Sequence, residues 1–397
     1  MNNFSFYVPT RYVFGENAKL QTGKTIANLG YKNVLVVYGL GSVVRSGLLD
    51  SVKSQLDELN IKHCELGGVK PNPRADLVYE GIKLGRKEKV DLVLPVGGGS
   101  AIDCAKAIAM GIVDDSNEFF DFYDGKRIPN KAVDVGVVLT IPAAGSESST
   151  GSVINKELNG VMVKYACNSE LIIPKFAIMD PTLTFTVNAY QTACGVTDMI
   201  AHICERYFTN TPDVTVTDNF CEGLIRSIVK HAPVILKEPT NFQSRANVMW
   251  AGAMAHNNLC GVDREQDWAS HDIEHQLSAL YDIAHGAGLA VIMPSWMDYV
   301  YKHDVNRFAQ WGHEVFSIDV SDDKESMAKA GIKAFRSFLH AIGMPTNFKD
   351  IGAKVEDIPH MLDTLGLTDD SKSVGGFVKL HRKDVEQIYL IASKASV

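Results

Sequence analysis

The chain has 397 residues, 46% of them hydrophobic, which is enough for a large core and, at ordinary domain sizes, for two domains. A formal net charge of −8, with Lys and Arg spread along the chain and no long basic run, argues against a nucleic-acid surface or an anionic-membrane patch and leaves small-molecule chemistry. Seven scattered cysteines with no CxxC pair suit a reducing compartment, and neither the N-terminal "MNNFSFYVPTRYVFG" nor any apolar run reads as an export signal or a membrane span, so a cytoplasmic protein is expected.

Taken in chain order, the first half alternates short β-branched runs with amphipathic helical patterns. "NVLVVYG" (33–39) and "DLVLPVGGG" (91–99) are each followed by a helix-like stretch, and "VDVGVVLTIP" (133–142) reads as a further strand. Such alternation predicts βαβ units around a mostly parallel sheet. The turn "YGLGSVVRSG" (38–47) leaves the first of these strands where a dinucleotide fold carries the adenosine ribose. No Asp or Glu occurs between Gly39 and Leu49, while Ser42 and Arg45 are available, so the physics tilts toward NADP. "VLPVGGGSAIDCAKAIAMG" then runs from a buried strand through Gly97, Gly98, Gly99 and Ser100 into a helix whose first turn carries Asp103. Glycines let backbone N–H groups approach a phosphate closely, and a helix N-terminus adds its positive end. This is an anion cradle but not a GxGxxG fingerprint, and a ligand-free tight turn would read the same way. "TIPAAGSESST" (140–150) is a hydroxyl-rich loop able to touch a cofactor. After "FAIMDPTLT" (176–184) the strand-like runs stop and helices follow, for example in "AYQTACGVTDMIAHICERYF", "RANVMWAGAMAHNNL" and "ESMAKAGIKAFRSFLHAIG". The expected division is an α/β domain over 1–184 and a helical domain over 185–397, punctuated by Asp180-Pro181.

The helical half carries the candidate ligands. Asp198 and His202 stand at i and i+4, as do His271 and His275, so each pair can share one helix face. Adding His285 requires a break: 14 residues at ~1.5 Å of rise would put it about 21 Å from His271 on one unbroken helix, too far to share an ion. Asp282, Gly286 and Gly288 are the candidate breakers. One carboxylate with imidazoles and no cysteine suits Zn(II), Fe(II), Co(II), Ni(II) or Mn(II). The spacing leaves open which of the three histidines bind. His256 is kept as a group that can support a ligand, and the remaining histidines are read as packing or surface residues.

The order "GGGSxxD", "GSE", "DxxxH", "HxxxH" and a final "HG" resembles the iron-containing (group III) alcohol dehydrogenase family, and within it the butanol dehydrogenase and aldehyde reductase branch. The likeness extends from "YVFG" (12–15) through "PNP" (71–73) to "GGF" (375–377). It implies a Rossmann-like α/β N-terminal domain and an all-helical C-terminal domain, the dehydroquinate synthase-like architecture, with NAD(P) and one divalent metal, Fe(II) or Zn(II), in a cleft between them. By matching positions the metal ligands would be Asp198, His202, His271 and His285, while His275 would stand near nicotinamide and substrate as a catalytic proton relay. The coenzyme would be contacted by Gly97, Gly98, Gly99, Ser100 and Asp103, by Asn72 on the adenosine side, and by Thr140, Ser149 and Lys164; Gly39, Gly41 and Ser42 resemble the NADP-preferring members. Where those relatives carry glycine this chain has Leu40; Ala144 replaces a threonine, and Ala284 stands where a proline usually precedes the last ligand. The expected reaction is hydride transfer between NADP(H) and a primary alcohol or aldehyde in a homodimer, with Phe242, Trp250, Leu259 and Trp268 hinting at an unbranched or aromatic substrate. An NAD-dependent glycerol- or diol-type dehydrogenase is the alternative within the family. From other classes, a metal-dependent hydrolase is opposed by the phosphate-type loops, and a cofactor sensor by the ligand set.

Overall fold

A computed structural model describes residues 2–143, 145–158, 160–369 and 371–395, so Ala144 lies outside the described residues. The chain forms two compact units, Tyr7–Thr186 and Val187–Val397, the latter joined by Met1–Phe6. The division falls two residues beyond the expected 184/185, and the first six residues go with the helical unit.

The first unit runs β1 (Arg11–Phe14), α1 (Thr22–Leu29), β2 (Asn33–Gly39), α2 (Ser42–Arg45), α3 (Leu48–Glu58), β3 (Lys62–Val69), α4 (Ala75–Glu88), β4 (Leu92–Gly97), α5 (Gly99–Val113), β5 (Asp134–Leu139), β6 (Gly151–Leu158), β7 (Val161–Asn168) and β8 (Phe176–Met179). Six strands form one sheet in the order β1-β8-β5-β4-β2-β3, every neighbouring pair parallel. Val34, Leu35, Val36 and Val37 are all 0% exposed. A parallel strand covered on both faces needs this unbroken apolar run, which is why β2 and β4 do not alternate. Because β5, β4 and β2 are neighbours in register (Leu139 beside Gly97, Val96 beside Tyr38), the loops after them leave the same carboxyl edge side by side. The sequence reading passed over the antiparallel β6–β7 hairpin, paired from Gly151 opposite Asn168 to Leu158 opposite Val161. The Asn-Gly pair at 159–160 is its sequence signal.

The second unit comprises α6 (Ala189–Tyr207), α7 (Thr215–Lys237), α8 (Phe242–His256), α9 (Ala269–Tyr281), α10 (His285–Val300), α11 (Val305–Phe316), α12 (Lys324–Ala341), α13 (Phe348–Ile351), α14 (Ile358–Thr364) and α15 (Arg382–Lys394). Its core gathers Tyr207, Phe208, Trp296, Phe308, Trp311 and Phe335. Every residue of α6 from Thr192 to Tyr207 and of α10 from Gly286 to Met297 is buried, the pattern of helices enclosed on all sides. Asp198, His202, Glu205 and Arg206 therefore lie inside protein on α6, and interior polar groups persist only with partners. Among the described residues no helix is long and apolar enough to cross a membrane.

Candidate metal centre and coenzyme loops

Helix α6 is started by the Asn188 side chain, which accepts from Gln191 N–H at 2.8 Å, and it carries Asp198 and His202 one turn apart. Both are 5% exposed, not members of a surface pair. Three imidazoles surround one carboxylate oxygen: Asp198 Oδ1 is 3.3 Å from His202 Nδ1, 3.9 Å from His271 Nε2 and 3.9 Å from His285 Nε2. Ligands of a tetrahedral ion at ~2.1 Å lie about 3.4 Å from one another, so this is the spacing of a coordination shell. Asp198 Oδ1, His202 Nδ1 and His271 Nε2 are buried with no hydrogen-bond partner among the described residues. Leaving such atoms unpaired costs about 1–3 kcal/mol each, and one cation would satisfy all of them. One carboxylate and three imidazoles fit a divalent Fe or Zn.

His285 reaches the cluster because α9 stops at Tyr281, Asp282 turns left-handed at φ 50°, and α10 begins at His285 itself. The break is made by Asp282 alone among the expected breakers: Gly286 and Gly288 lie inside the first turns of α10. Their role is close approach. A Cβ on Gly286 would sit 2.1 Å from the Cys194 carbonyl oxygen of α6, and one on Gly288 would sit 2.3 Å from Glu274 Oε1. The His271 and His285 rings end 5.3 Å apart, centroid to centroid.

Two carboxylates that the sequence reading missed stand behind the clustered histidines. Glu205 Oε1 is 3.0 Å from His271 Nδ1, and Glu274 Oε2 is hydrogen-bonded to His285 Nδ1; both glutamates are 0% exposed. Each follows a cluster histidine by three residues, His202 or His271, so the available signal was an acidic residue on a helix face already assigned to the interior. Glu274, His275 and His285 also bring donor atoms within 4.8 Å of one another, a grouping that follows from the Glu274 to His285 bond. His275 is half-buried, its ring 5.4 Å from that of His285 and 6.5 Å from that of His271. His256 packs its ring 4.0 Å from that of His202, and its Nδ1 lies 2.9 Å from Arg206 Nη2. The Arg206 guanidinium lies 4.6 Å above the Trp268 ring. Of the expected apolar wall, Trp268 is thus at the cluster, 5.2 Å from His271, whereas Trp250 is 41% exposed.

Charge follows from these contacts. Burial, then the neighbouring His256 and His271, hold His202 well below the ordinary histidine range and present the neutral imidazole that binds cations. Burial pulls His271 the same way, but the carboxylates of Asp198 and Glu205 outweigh it and raise the ring to about 9.

In the α/β unit the loops at the carboxyl edge carry the remaining candidates. Gly98, in extended conformation, precedes α5, and Gly99 and Ser100 form its partly exposed first turn. A Cβ on Gly97 would meet Ala101 Cβ at 2.7 Å, and one on Gly98 would meet Ile141 Cβ at 3.1 Å, so the cradle is shaped by the lack of side chains. Gly39 and Gly41 flank Leu40, which is 66% exposed, and Ser42 is also exposed; Thr140 N–H donates to Gly97 O at 3.0 Å, tying two loops together. Asp103 accepts from Ser146 Oγ at 2.7 Å and Val153 N–H at 3.1 Å, fastening α5 to the 146–153 segment. Ser149 is buried, its carbonyl accepting from Lys106 Nζ at 2.8 Å. Both are engaged within the unit. Lys164 stands opposite Asn155 across the hairpin, and Asn155 N–H donates to Pro73 O at 2.8 Å, which draws Asn72 toward the same place. The Asn155 amide, unremarked in the sequence, is 1% exposed with neither its N nor its O bonded among the described residues. An orphaned amide beside a lysine fits a polar ligand such as a dinucleotide.

A nucleotide-type α/β unit and a helical unit with a carboxylate-imidazole cluster define a metal-assisted, nucleotide-dependent oxidoreductase class, and comparison with known proteins agrees. Residues 9–181 match the model of iron-containing alcohol dehydrogenase, and residues 192–393 match that of the Fe-containing alcohol dehydrogenase family C-terminal region. The chain is 38% identical to NADH-dependent butanol dehydrogenase B of Clostridium acetobutylicum over 393 residues, 98% of this chain and 99% of that protein. It is 37% identical to the NADPH-dependent aldehyde reductase YqhD of Escherichia coli over 92% of this chain and 93% of that one. The crystal structure of NADH-dependent butanol dehydrogenase A from Thermotoga maritima superposes with a TM-score of 0.94 at 38% identity, covering 99% of both chains. The protein belongs to the iron-containing alcohol dehydrogenase family and is an oxidoreductase of the alcohol dehydrogenase and aldehyde reductase kind.

Proposed function

We propose that the protein exchanges hydride reversibly between NADP(H) and a primary alcohol or its aldehyde, in the manner of a butanol dehydrogenase, with one divalent metal, Fe(II) or Zn(II), as resident ion. The observation that carries this reading is the ring of three imidazole nitrogens within 4 Å of the buried Asp198 Oδ1. Asp198, His202, His271 and His285 hold the ion, which supplies Lewis-acid polarisation of the substrate oxygen. His275 takes up or returns a proton at a ring nitrogen, a task suited to imidazole. Gly97, Gly98, Gly99 and Ser100 offer backbone N–H groups to the coenzyme pyrophosphate, with Asp103 and Ser149 holding the neighbouring backbone in place. Thr140, Lys164 and Asn72 bind along the rest of the coenzyme, and Gly39, Gly41 and Ser42, with Arg45 a turn away, admit a 2′-phosphate.

NADH is the second reading, favoured by the exposed Leu40 and Val44 beside that turn, which offer a phosphate nothing to bind. The homodimer is supported by the exposed Phe4, Phe6 and Tyr7, an apolar surface that a second copy would cover.

The test is oxidation of NADPH and of NADH by butanal, followed at 340 nm, with metal-stripped protein reloaded with Fe(II) or Zn(II). Faster NADPH oxidation that requires added metal is expected. Oxidation with NADH alone would move the coenzyme assignment. No oxidation with any short aldehyde, alongside hydrolysis of a model ester, would replace the reading with a hydrolase.

A further inference from the structure

Glu205 and Glu274 form a relay across three helices. From α6, Glu205 reaches α9: Oε1 accepts from His271 N–H at 2.9 Å and from Nδ1 of the same residue at 3.0 Å, while Oε2 accepts from Trp268 N–H at 2.9 Å. From α9, Glu274 reaches α10 and bonds His285 Nδ1. A carboxylate only accepts, so each ring donates its Nδ1–H to a glutamate and turns its Nε2 the other way. Those two Nε2 atoms are the ones that stand 3.9 Å from Asp198 Oδ1.

We propose that Glu205 and Glu274 are positioning residues that orient His271 and His285 and thereby set the affinity of the centre for its metal. This rests on the metal reading above. Glu205 has a second duty, since it also satisfies two N–H groups at the start of α9. Glu274 has none: it sits in the middle of α9, it is fully buried, and its hydrogen bond among the described residues goes to His285. Gly288 shows that room is kept for it, because a methyl at that position would stand 2.3 Å from Oε1. A buried carboxylate without structural partners is a liability to the fold unless it holds something.

The decisive measurement is the dissociation constant of the metal-stripped, full-length protein for Zn(II) and Co(II), by chelator competition, with the Co(II) visible spectrum as a geometric readout. Glu274→Ala should weaken binding by about 10- to 100-fold and shift the Co(II) bands, while the melting temperature of the metal-free protein is unchanged or higher. Glu274→Gln, which keeps an accepting oxygen, should retain most of the affinity. Gly288→Ala should reproduce the loss by displacing the carboxylate, and the Glu274→Ala/Gly288→Ala double variant should bind no worse than Glu274→Ala, since the methyl then has space. If Glu274→Ala does not fold, Gly288→Ala against Glu274→Gln decides the matter. Wild-type binding of one ion with unaltered affinity in Glu274→Ala and Gly288→Ala overturns the positioning role alone. Failure of the wild type to bind any divalent ion overturns the metal reading and this proposal with it.

Discussion

In the α/β unit, the groups proposed for the coenzyme are chiefly backbone N–H groups at the ends of β2, β4 and β5, and the charged Asp103 and Lys106 nearby are engaged within the unit, by Ser146 and Ser149. In the helical unit the offered groups are side chains, and what holds them is other side chains on other helices. A backbone site is shaped by what is missing, a Cβ at Gly97 or Gly98; a side-chain site is shaped by what is added behind it. Mutations should therefore damage the two sites through different observables.

The largest effects should separate the residues of α9. His271→Ala is expected to lose both bound metal and turnover, the latter on the order of 10³-fold, whereas His275→Ala should keep its metal and lose turnover on the order of 10²-fold. Metal analysis beside a kcat measurement checks this, and equal metal loss in both variants would contradict the division of roles. Next, Gly97→Val should weaken NADPH binding by roughly tenfold or more, about 1.4 kcal/mol, with no change in metal content, because its side chain enters the space next to Ala101. Fluorescence titration of the coenzyme tests it, and metal loss in this variant would mean that the two sites are not built independently.

Gly286→Ala should act on stability, by about 1–3 kcal/mol in urea unfolding, since its methyl meets the Cys194 carbonyl of a neighbouring backbone that cannot rotate away. Unaltered stability would show that α6 and α10 can separate freely. The smallest effect lies away from both sites. The two hydrogen bonds from the Arg127 guanidinium, at 2.9 Å each, hold the Asp114 carboxyl down to about 2. A folded-state pKa below the ordinary ~3.9 means that the contribution is complete above that value and is lost as pH falls from about 4 toward 2. Asp114→Asn should lower the stability of the α/β unit at pH 7 by about 1 kcal/mol or less and flatten its pH dependence between about 4 and 2, so that variant and wild type converge in acid.

The contrast between the units also explains how much was legible in the sequence. Strands β2, β4 and β5 were readable because a doubly covered parallel strand is a continuous apolar run, and the glycine loops after them were readable because the cradle is local to the chain. Asp198, His202 and His271 were visible as helical spacings, and helix rise required a break before His285. The agent of that break, Asp282, was among three candidates but could not be singled out: glycine is read as a helix terminator, yet Gly286 and Gly288 let α10 touch α6 and Glu274, contacts between segments remote in sequence. Glu205 and Glu274 were missed for the same reason. A glutamate on a helix reads as a solvated face until the neighbouring helix is in place. The β6–β7 hairpin was missed because it interrupts the βαβ period, and the Asn-Gly pair at 159–160 in the sequence was its one local signal.

The Asn2 backbone N–H donates to the Asp263 carbonyl at 2.8 Å, so the helical unit includes residues 2–6 as well as those from 187 onward, and the α/β unit is an uninterrupted segment inserted between them. During synthesis, 7–186 leaves the ribosome complete, while residues 2–6 wait for a partner that emerges more than half a chain later. The coenzyme-type unit should thus be the first structure that a nascent chain acquires, and the proposed metal ligands should come together only late in translation, a sequence of events that pulse proteolysis of stalled chains would expose.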